Sequence, residues 1–533
     1  MSSLADRHDS STTSPSTSMP GISLGLTRIH RLLSLLRSPH LSTPVVHIAG
    51  TNGKGSVSAY LSSILSQSKL AVGRFNSPHL VDEWDCIQLH GRPVDAGLFY
   101  DAKKEVERVS EREGVGATSF EILTATAFSL FARARPPLDV AVVEVGMGGS
   151  EDATNVVPAE KTLLSVVTAV DLDHQKFLGD TVNEIATVKA GITREGGDVV
   201  LSVQAHEEAT QAVRRVAVER GARVWQAGEA TVVPDMDTGK TRQAATLSAF
   251  PPPSLAAIPL VAASDVLPPE SSSPPSGASV TARLPLPGSY QLRNSATAVL
   301  AAQLLRTLPR ALSGLPSLSQ ITDNSIRSGV EATQWPGRLS WETYTTSSGR
   351  PVPLLLDGAH NPSSAALLAS YLSSLPPALR PATLVFALSA PRDPEDVVRP
   401  LVRALVAGDE QRLRVVCCGF SAPVGMEWVR STPASELATS VKRIVAEEAS
   451  RTEVQVEEAP DAEAALRATG TLLADVFTLW ATPKTSFSAW NASKSKKQIE
   501  FDKSQAAKSY LDLLKPDVRR RVFLGRSEQM WLQ

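Results

Sequence analysis

Short, continuously apolar runs alternate along this chain with stretches whose apolar residues have helical spacing. Strands that are apolar on both faces are typical of parallel sheets covered by helices on both sides. In the first half of the chain such runs occur at residues 44–49, 138–145 and 163–170, and a helical pattern runs from Thr181 to Ala190. The pattern therefore predicts an α/β fold with a mainly parallel sheet.

A second alternating series begins near Trp335. Its expected strands lie at residues 352–356, 383–388 and 414–418, and its expected helices at residues 363–375 and 434–450. Because 533 residues exceed what one hydrophobic core usually organises, we expect two domains. The second is expected to be the smaller one, with a Rossmann-like α/β fold.

Three parts of the chain depart from this alternation. Residues 229–284 are rich in Pro and Ser, and we expect a mobile insertion there because little in the stretch could build a core. The Ser- and Thr-rich start predicts a disordered tail, and the pattern fails again from about Pro483. The expected division is a tail at 1–20, a first domain at 21–325 with its insertion, a linker at 326–338, a second domain at 339–482, and an unassigned tail at 483–533.

The segment Gly50–Ser56, with the sequence GTNGKGS, lies between the apolar run 44–49 and the helical pattern 57–65. A glycine-rich turn between strand and helix leaves backbone N–H groups free to bind phosphate oxygens, and Lys54 can reach the β- and γ-phosphates. The segment departs from the strict phosphate-loop motif because Gly55 separates Lys54 from Ser56. A glycine turn with a chance lysine is the alternative, but the position favours a nucleotide site.

Four polar clusters follow apolar strands, at the strand ends where open parallel sheets bind ligands. They lie at residues 76–80, 144–149, 171–174 and 189–192. Glu144, His174 and the hydroxyl of Ser77 are reasonable ligands for a Mg²⁺ ion beside a triphosphate. Each cluster also has a structural alternative. Glu144 could cap a helix, His174 could be a surface imidazole, and the segment 357–362 could be only a turn.

Composition narrows the class of protein. Lys and Arg number 53 against 55 Asp and Glu, so bulk charge gives no case for nucleic acid or an anionic membrane as a partner. No apolar run approaches the ~18 residues of a membrane span, and the first residues lack a signal peptide. The three cysteines have neither disulfide nor metal spacing. We expect a cytoplasmic enzyme that acts on small molecules, as a monomer.

Taken together, these segments resemble the Mur ligase superfamily and, within it, the folylpolyglutamate synthase and dihydrofolate synthase family. The resemblance runs in one order from about residue 21 to about residue 430. It is carried by residues 50–56, 77–80, 118–124, 144–155, 173–179, 189–192, 288–294, 335–338 and 357–362.

The resemblance implies an ATP-binding first domain, a glutamate-ligase second domain, and ATP and Mg²⁺ as cofactors. A substrate carboxylate would attack the γ-phosphate of MgATP, and the amine of L-glutamate would displace phosphate from the acyl phosphate. By match to the family, the nucleotide would contact Asn52, Gly53, Lys54, Gly55, Ser56, Asn294, Arg338 and Asp357. By the same match, Ser77, Glu144 and His174 would ligate magnesium, and Lys189 as a carbamate would bring oxygen ligands to a second metal. The catalytic residues would be Lys54, Lys189 and His360.

The sequence also bears on the substrate. Asn52 stands where eukaryotic folylpolyglutamate synthases tend to carry lysine, and residues 284–291, 335–339 and 425–428 look like fungal dihydrofolate synthases. The expected substrates are therefore dihydropteroate, L-glutamate and ATP. A folylpolyglutamate synthase or a bifunctional enzyme acting on folate is the alternative, and a catalytically dead binding module is another.

Two departures from the family stand out. Ser150 and Glu151 replace a common Arg-Leu pair before Asp152, which removes a positive charge near the site. The Gly-Ser-Leu-Tyr-Leu strand with which many members end has no match after Leu473. A glutamate contact from that region is therefore in doubt.

Overall fold

The structure is a computed structural model that describes residues 24–80, 82–234, 254–260, 279–345, 351–376, 379–406, 412–422, 429–448, 452–469 and 477–480. The expected tail at 1–20 and the unassigned segment 483–533 lie outside the described residues. Among the helices described, none is long and apolar enough to cross a membrane.

An eight-stranded sheet organises the first part of the chain. Its strands are β1 (Val45–Ala49), β2 (Val72–Phe75), β3 (Ile87–Leu89), β4 (Arg92–Pro93), β5 (Val140–Glu144), β6 (Thr162–Val167), β7 (Asp198–Leu201) and β8 (Arg223–Gln226). The order is β4-β3-β2-β5-β1-β6-β7-β8, with only β3 and β4 pairing antiparallel. The mainly parallel sheet predicted from the apolar runs is confirmed.

Helices cover this sheet on both faces. They are α1 (Thr27–Leu35), α2 (Lys54–Gln67), α3 (Ala96–Arg112), α4 (Ser119–Arg133), α5 (Gln175–Leu178), α6 (Val182–Ala190) and α7 (Glu207–Glu219). Two of them begin at capping boxes, Thr118 with Glu121 for α4 and Thr181 with Glu184 for α6, which satisfy backbone N–H groups at the helix start. All five residues of β1 are buried between the two layers.

Three further helices and a small antiparallel sheet complete the first core. The helices are α8 (Tyr290–Thr307), α9 (Pro309–Gly314) and α10 (Asp323–Glu331), and the strands are β9 (Thr231–Val232), β10 (Ser254–Pro259) and β11 (Ser279–Leu284). Ala256, Ile258, Val280 and Ala282 are buried in the same cluster as Val46 of β1. The expectation of a coreless insertion at 229–284 is therefore wrong for these strands, because alternate residues of β10 and β11 face the core.

The second sheet has six strands. They are β12 (Ser340–Thr345), β13 (Pro351–Asp357), β14 (Thr383–Phe386), β15 (Leu413–Gly419), β16 (Val454–Asp461) and β17 (Phe477–Trp480), in the order β12-β13-β17-β14-β15-β16. Its helices are α11 (Pro362–Ser374), α12 (Pro394–Val406), α13 (Ala434–Glu448) and α14 (Ala462–Thr469). All strands except β12 run parallel. The predicted second α/β unit is confirmed.

Two boundaries differ from the expectations. Helix α10 continues to Glu331 and packs on α2, where the Ser63 hydroxyl donates to the Gly329 carbonyl at 2.6 Å. The connection between the two sheets is therefore shorter than the linker predicted at 326–338. Strand β17 lies between β13 and β14, so the chain keeps a central strand after Leu473 although the family's sequence motif is missing there.

We expect the β10–β11 hairpin to tolerate a short connection. Pro259 and Ser279 are paired across the hairpin, so a four-residue Gly/Ser turn in place of residues 261–278 can join the strands. The free energy of unfolding should stay within about 1 kcal/mol of wild type, whereas Ile258→Ala should lower it by about 2–5 kcal/mol because its side chain is fully buried. Urea unfolding measures both, and a shortened chain as unstable as the Ile258 variant would contradict this assignment.

Candidate active site

The phosphate-loop candidate has the backbone of an anion site. Gly53, with φ of +94°, is the residue before α2, and α2 begins at Lys54. The N–H groups of Thr51 and Asn52 both donate to the Ala169 carbonyl, at 2.9 and 3.1 Å. These bonds tie the loop to the segment after β6 and place the N-terminus of a 14-residue helix at the carboxyl edge of the sheet.

Close neighbours explain two of the loop glycines. A Cβ at Gly53 would lie 2.5 Å from Oδ1 of Asn294, and a Cβ at Gly55 would lie 2.5 Å from the Trp335 ring. Asn294, predicted to contact the nucleotide, therefore lies against the loop. Gln291 of α8 links the two, since it donates to the Ser56 hydroxyl at 3.2 Å and accepts from Asn294 at 3.1 Å.

Two lysines converge on the same carbonyl of the loop. Lys54 Nζ donates to the carbonyls of Gly50 and Thr51 at 2.9 and 3.2 Å, and Lys189 Nζ donates to that of Gly50 at 3.1 Å. Lys189 is only 3% exposed. Burial, reinforced by the charge of Lys54, lowers the pKa of Lys189 to about 7, so a large fraction of its amine is neutral near neutral pH.

Glu144 ends β5 inside the protein. Its side chain is 5% exposed and accepts a hydrogen bond from Asn76 Nδ2 at 2.5 Å. Burial raises the pKa of Glu144, while the charges of Lys54, Arg338 and Arg74 oppose the shift. Glu144 is therefore held among cations in the site, which excludes a purely capping role. Ser77, the second predicted metal ligand, directly follows Asn76 and is half-buried.

Arg74 is a site residue that the sequence reasoning missed. It lies in β2 and is 6% exposed, and burial lowers its pKa to about 10 although Glu144 opposes this. Its guanidinium stacks on the Trp335 ring, 4.9 Å from the ring centroid. An arginine inside an apolar strand was the available signal, because such a charge needs a partner.

Asp173 and His174 follow β6 at the same edge. His174 has a left-handed backbone, with φ of +53°, and its N–H donates to Asp173 Oδ1 at 2.9 Å. Burial lowers the pKa of His174, so its imidazole is neutral and free to bind a metal. Burial opposes ionisation of Asp173, yet the Arg392 charge and the positive charge that His174 and His360 carry when protonated outweigh it and lower the pKa of Asp173.

The predicted residues of the second sheet lie at the end of β13 and the start of α11. Asp357 is buried and accepts from the N–H groups of Leu339 and Ala359, at 2.9 and 2.8 Å. Burial raises the pKa of Asp357, and the charge of Arg338 opposes it. His360 Nδ1 lies 2.8 Å from the Gly358 carbonyl, and burial together with Arg392 lowers the pKa of His360 to about 3.

Hydrogen bonds join the two sheets across the site. Asn52 of the phosphate loop donates to the Ser363 hydroxyl at 3.3 Å, and Asn361 donates to Asp173 Oδ2 at 3.4 Å. Asn361 also caps α11 by accepting from Ser364 N–H at 2.8 Å. The N-terminus of α11 therefore faces the phosphate loop. Arg392, a second residue that sequence reasoning missed, donates to the His360 carbonyl at 2.7 Å.

The arrangement suits a metal-bound triphosphate. Lys54 lies close enough to Glu144, His174 and Lys189 to influence the pKa of each, so these three predicted ligands lie in the vicinity of the phosphate-loop lysine. Within the described ranges, no three His, Cys, Asp or Glu side chains form a metal cluster by themselves. Mg²⁺ prefers oxygen ligands and completes its shell with phosphate oxygens and waters, so the Glu144 carboxylate and the Ser77 hydroxyl are suitable donors beside a triphosphate.

Comparisons with known proteins agree with this geometry. A family model described as dihydrofolate synthetase, C-terminal domain, matches residues 340–472. Dihydrofolate synthetase of Saccharomyces cerevisiae is 32% identical over 418 residues, which cover 78% of this chain and 86% of the relative. A probable dihydrofolate synthetase of Schizosaccharomyces pombe is 31% identical over 421 residues, covering 79% and 88%.

A solved structure is similar over most of its length. Folylpolyglutamate synthase of Mycobacterium tuberculosis, complexed with ADP and AMPPCP, has a TM-score of 0.64 and 26% identity, covering 88% of this chain and 95% of that one. The fold and the fungal relatives thus agree: the chain belongs to the folylpolyglutamate synthase and dihydrofolate synthase family of the Mur ligase superfamily.

Proposed function

We propose that this protein is an ATP-dependent ligase that joins L-glutamate to the carboxylate of dihydropteroate, the dihydrofolate synthase reaction of folate biosynthesis. The observation that carries the proposal is the convergence of Lys54 and Lys189 on the Gly50 carbonyl, beside the buried Glu144 and opposite the N-terminus of α11. The names of the two fungal relatives support the choice of substrate. A monomeric state and a cytoplasmic location stay predictions from the sequence.

The phosphate loop binds the triphosphate. Backbone N–H groups at the start of α2 and the Lys54 ammonium neutralise the β- and γ-phosphates, so Lys54 exchanges two carbonyl partners for phosphate oxygens. Asn52, Gly53, Gly55, Ser56 and Asn294 shape this cradle, and Arg338 and Asp357 contact the nucleotide from the other side.

Ser77, Glu144 and His174 would hold Mg²⁺, and the carbamate of Lys189 would supply oxygen ligands to a second metal. The metal, when bound, neutralises charge on the transferring phosphoryl group. Carbamate formation needs a neutral amine that attacks CO₂ and releases a proton, and a pKa of about 7 supplies that amine at Lys189. In its present contacts the amine is held 3.1 Å from the Gly50 carbonyl, at the edge of the loop.

His360 lies where the second step occurs. With Nδ1–H donating to the Gly358 carbonyl, Nε2 is left as an acceptor, and a pKa of about 3 keeps the ring neutral. Nε2 can therefore accept a hydrogen bond from the glutamate amine as it displaces phosphate from the acyl phosphate. Arg392 fixes the His360 backbone for this contact.

The reaction itself is tested by a product assay. We expect dihydropteroate to be glutamylated at least about tenfold faster than tetrahydrofolate or its monoglutamate when each is offered with L-glutamate and MgATP. The two substrates place the reacting carboxylate several bonds apart, and one pocket aligns only one of them with the γ-phosphate, which is worth several kcal/mol. Equal or faster turnover of the folate monoglutamate would assign the protein as a folylpolyglutamate synthase. ATP binding without any glutamylation would indicate a binding module.

Lys54→Ala should lower kcat by about 10²-fold or more without unfolding the protein, because it removes charge neutralisation at the γ-phosphate. The matched control is Lys69→Ala, an exposed lysine beyond the far end of α2, which should keep wild-type kinetics. Steady-state rates and circular dichroism measure the two effects. Near wild-type turnover in the Lys54 variant would remove this residue from the site.

Lys189→Ala should lose activity that added acetate partly restores. A small carboxylate can occupy the space of the missing side chain and supply the oxygen atoms of the carbamate. Lys54→Ala provides the contrast, since a lost ammonium is not replaced by an anion. Rates titrated with acetate distinguish the two variants, and equal insensitivity of both would argue against a carbamate at Lys189.

A further inference from the structure

A chain of hydrogen bonds behind the active site has no role in the reaction as described so far. His47 lies in β1, three residues before the phosphate loop, and is fully buried. Its Nε2 is 2.8 Å from the hydroxyl of Thr154, and that hydroxyl donates to Asp152 Oδ1 at 2.5 Å. Asp152 Oδ2 accepts from the Met147 N–H at 2.8 Å. These hydrogen bonds thus join β1 to the loop that follows Glu144.

The direction of each bond follows from the proton count. Burial raises the pKa of Asp152, but each of its oxygens accepts a backbone N–H, Oδ1 from Thr154 and Oδ2 from Met147, and these bonds favour the ionised carboxylate, which acts only as an acceptor. The single hydroxyl proton of Thr154 goes to Asp152, and His47 must therefore donate from Nε2–H. Burial, with the charge of Arg194, holds the pKa of His47 well below its usual value and keeps the ring neutral. Nδ1 has no partner among the described residues.

Met147, the last residue in this series of hydrogen bonds, borders a cavity. Met147 lines a cavity of about 270 Å³ together with Leu24, Gly148, Glu151, Phe177 and Val188. Met147 follows Glu144 by three residues, and the lining residue Val188 directly precedes Lys189, so the cavity is bounded by the segments that carry two of the predicted site residues. If the proposed function holds, this cavity offers an apolar wall for the ring system of the carboxylate substrate. The position of that wall depends on the Met147 N–H bond to Asp152.

We propose that His47 and Thr154 are positioning residues that hold the Met147–Glu151 wall through Asp152, and that they thereby set the affinity for dihydropteroate. Neither residue touches substrate. The inference rests on the proposed function, because it takes the carboxylate substrate to be dihydropteroate. Its physical basis is that each bond is buried, so a lost donor removes one of the contacts that hold Asp152, directly for Thr154 and through Thr154 for His47, and the loop gains freedom.

The experiment compares kinetic constants of matched variants. Thr154→Val removes the hydroxyl at nearly constant shape, and we expect the KM for dihydropteroate to rise about tenfold, as for the loss of one buried charge-assisted bond. The kcat and the KM for ATP should stay within about twofold, because the lost interaction affects binding of one substrate only. Thr154→Ser, which keeps the hydroxyl, should restore most of the affinity.

Two further variants keep the test decisive if Thr154→Val does not fold. His47→Gln retains an N–H donor near the position of Nε2 and should raise the KM less than His47→Leu, which has none. Thr126→Val is the control for loss of a buried threonine hydroxyl, since Thr126 is fully buried on α4 and donates only to Ile122 of its own helix. The KM of this control should be that of wild type.

The possible results distinguish a failure of this inference from a failure of the proposed function. An unchanged KM for dihydropteroate in Thr154→Val, or equal values for His47→Gln and His47→Leu, would overturn the inference. A parallel rise of the KM for dihydropteroate and the KM for ATP, together with a loss of thermal stability, would show that these hydrogen bonds are merely structural. That result would also overturn the inference. Failure of the wild-type protein to glutamylate dihydropteroate would instead overturn the proposed function.

Discussion

The parallel pairing of β1 with β5 on one side and β6 on the other is the constraint on which the site depends. In this register Ile48 pairs with Glu144 and Ala49 with Val167. The segments that follow all three strands therefore leave the sheet at one edge and at one level. The phosphate loop, the Glu144 segment and the Asp173 segment, far apart in sequence, meet there because parallel strands end on the same side.

That meeting point collects charge in a poorly solvated place. Burying an ion is costly unless a charge of opposite sign lies nearby. In this site positive and negative side chains are neighbours, as where Lys54 and Arg74 lie near Glu144. Lys54 and Lys189 meet backbone carbonyls of the loop rather than carboxylates. A carbonyl is a weaker partner than a phosphate oxygen for an ammonium group, so incoming triphosphate can displace it. The loop thus holds its cations ready without neutralising them.

The sequence was sufficient for the strands of the parallel sheets and for the loops at their ends, because both depend on local patterns. Continuous apolar runs marked β1, β5 and β6, and polar clusters marked the loops. It was insufficient for β10 and β11, whose alternating apolar positions are short and stand within a Pro- and Ser-rich stretch that masks them. The average composition of a long segment hides a six-residue strand within it, whereas burial in the core depends on each side chain separately.

The same limit applies to the site. Lys54 was predictable from the phosphate-loop motif, and Glu144 was predictable from its position at the end of a strand. The roles of Arg74 and Arg392 arise only from tertiary approach, Arg74 to Glu144 and Trp335, and Arg392 to His360. The apolar strand around Arg74 could signal that its charge needs a partner, but nothing local to either arginine specifies which residue that partner is. The roles of the metal ligands and of Lys189 remain proposals that rest on the family match and on this geometry.

The short connection between the sheets borders the candidate active site. Trp335 lies against Gly55 and over Arg74, Gly337 packs on Leu80, and Leu339 donates to Asp357. Arg338, between them, influences the pKa of Glu144 in the first sheet and of Asp357 in the second. The Arg338 guanidinium therefore interacts electrostatically with one carboxylate from each sheet. A nucleotide that takes up the charge of Arg338 would change the balance at both carboxylates together, which gives the two sheets a physical reason to respond to ATP as a unit.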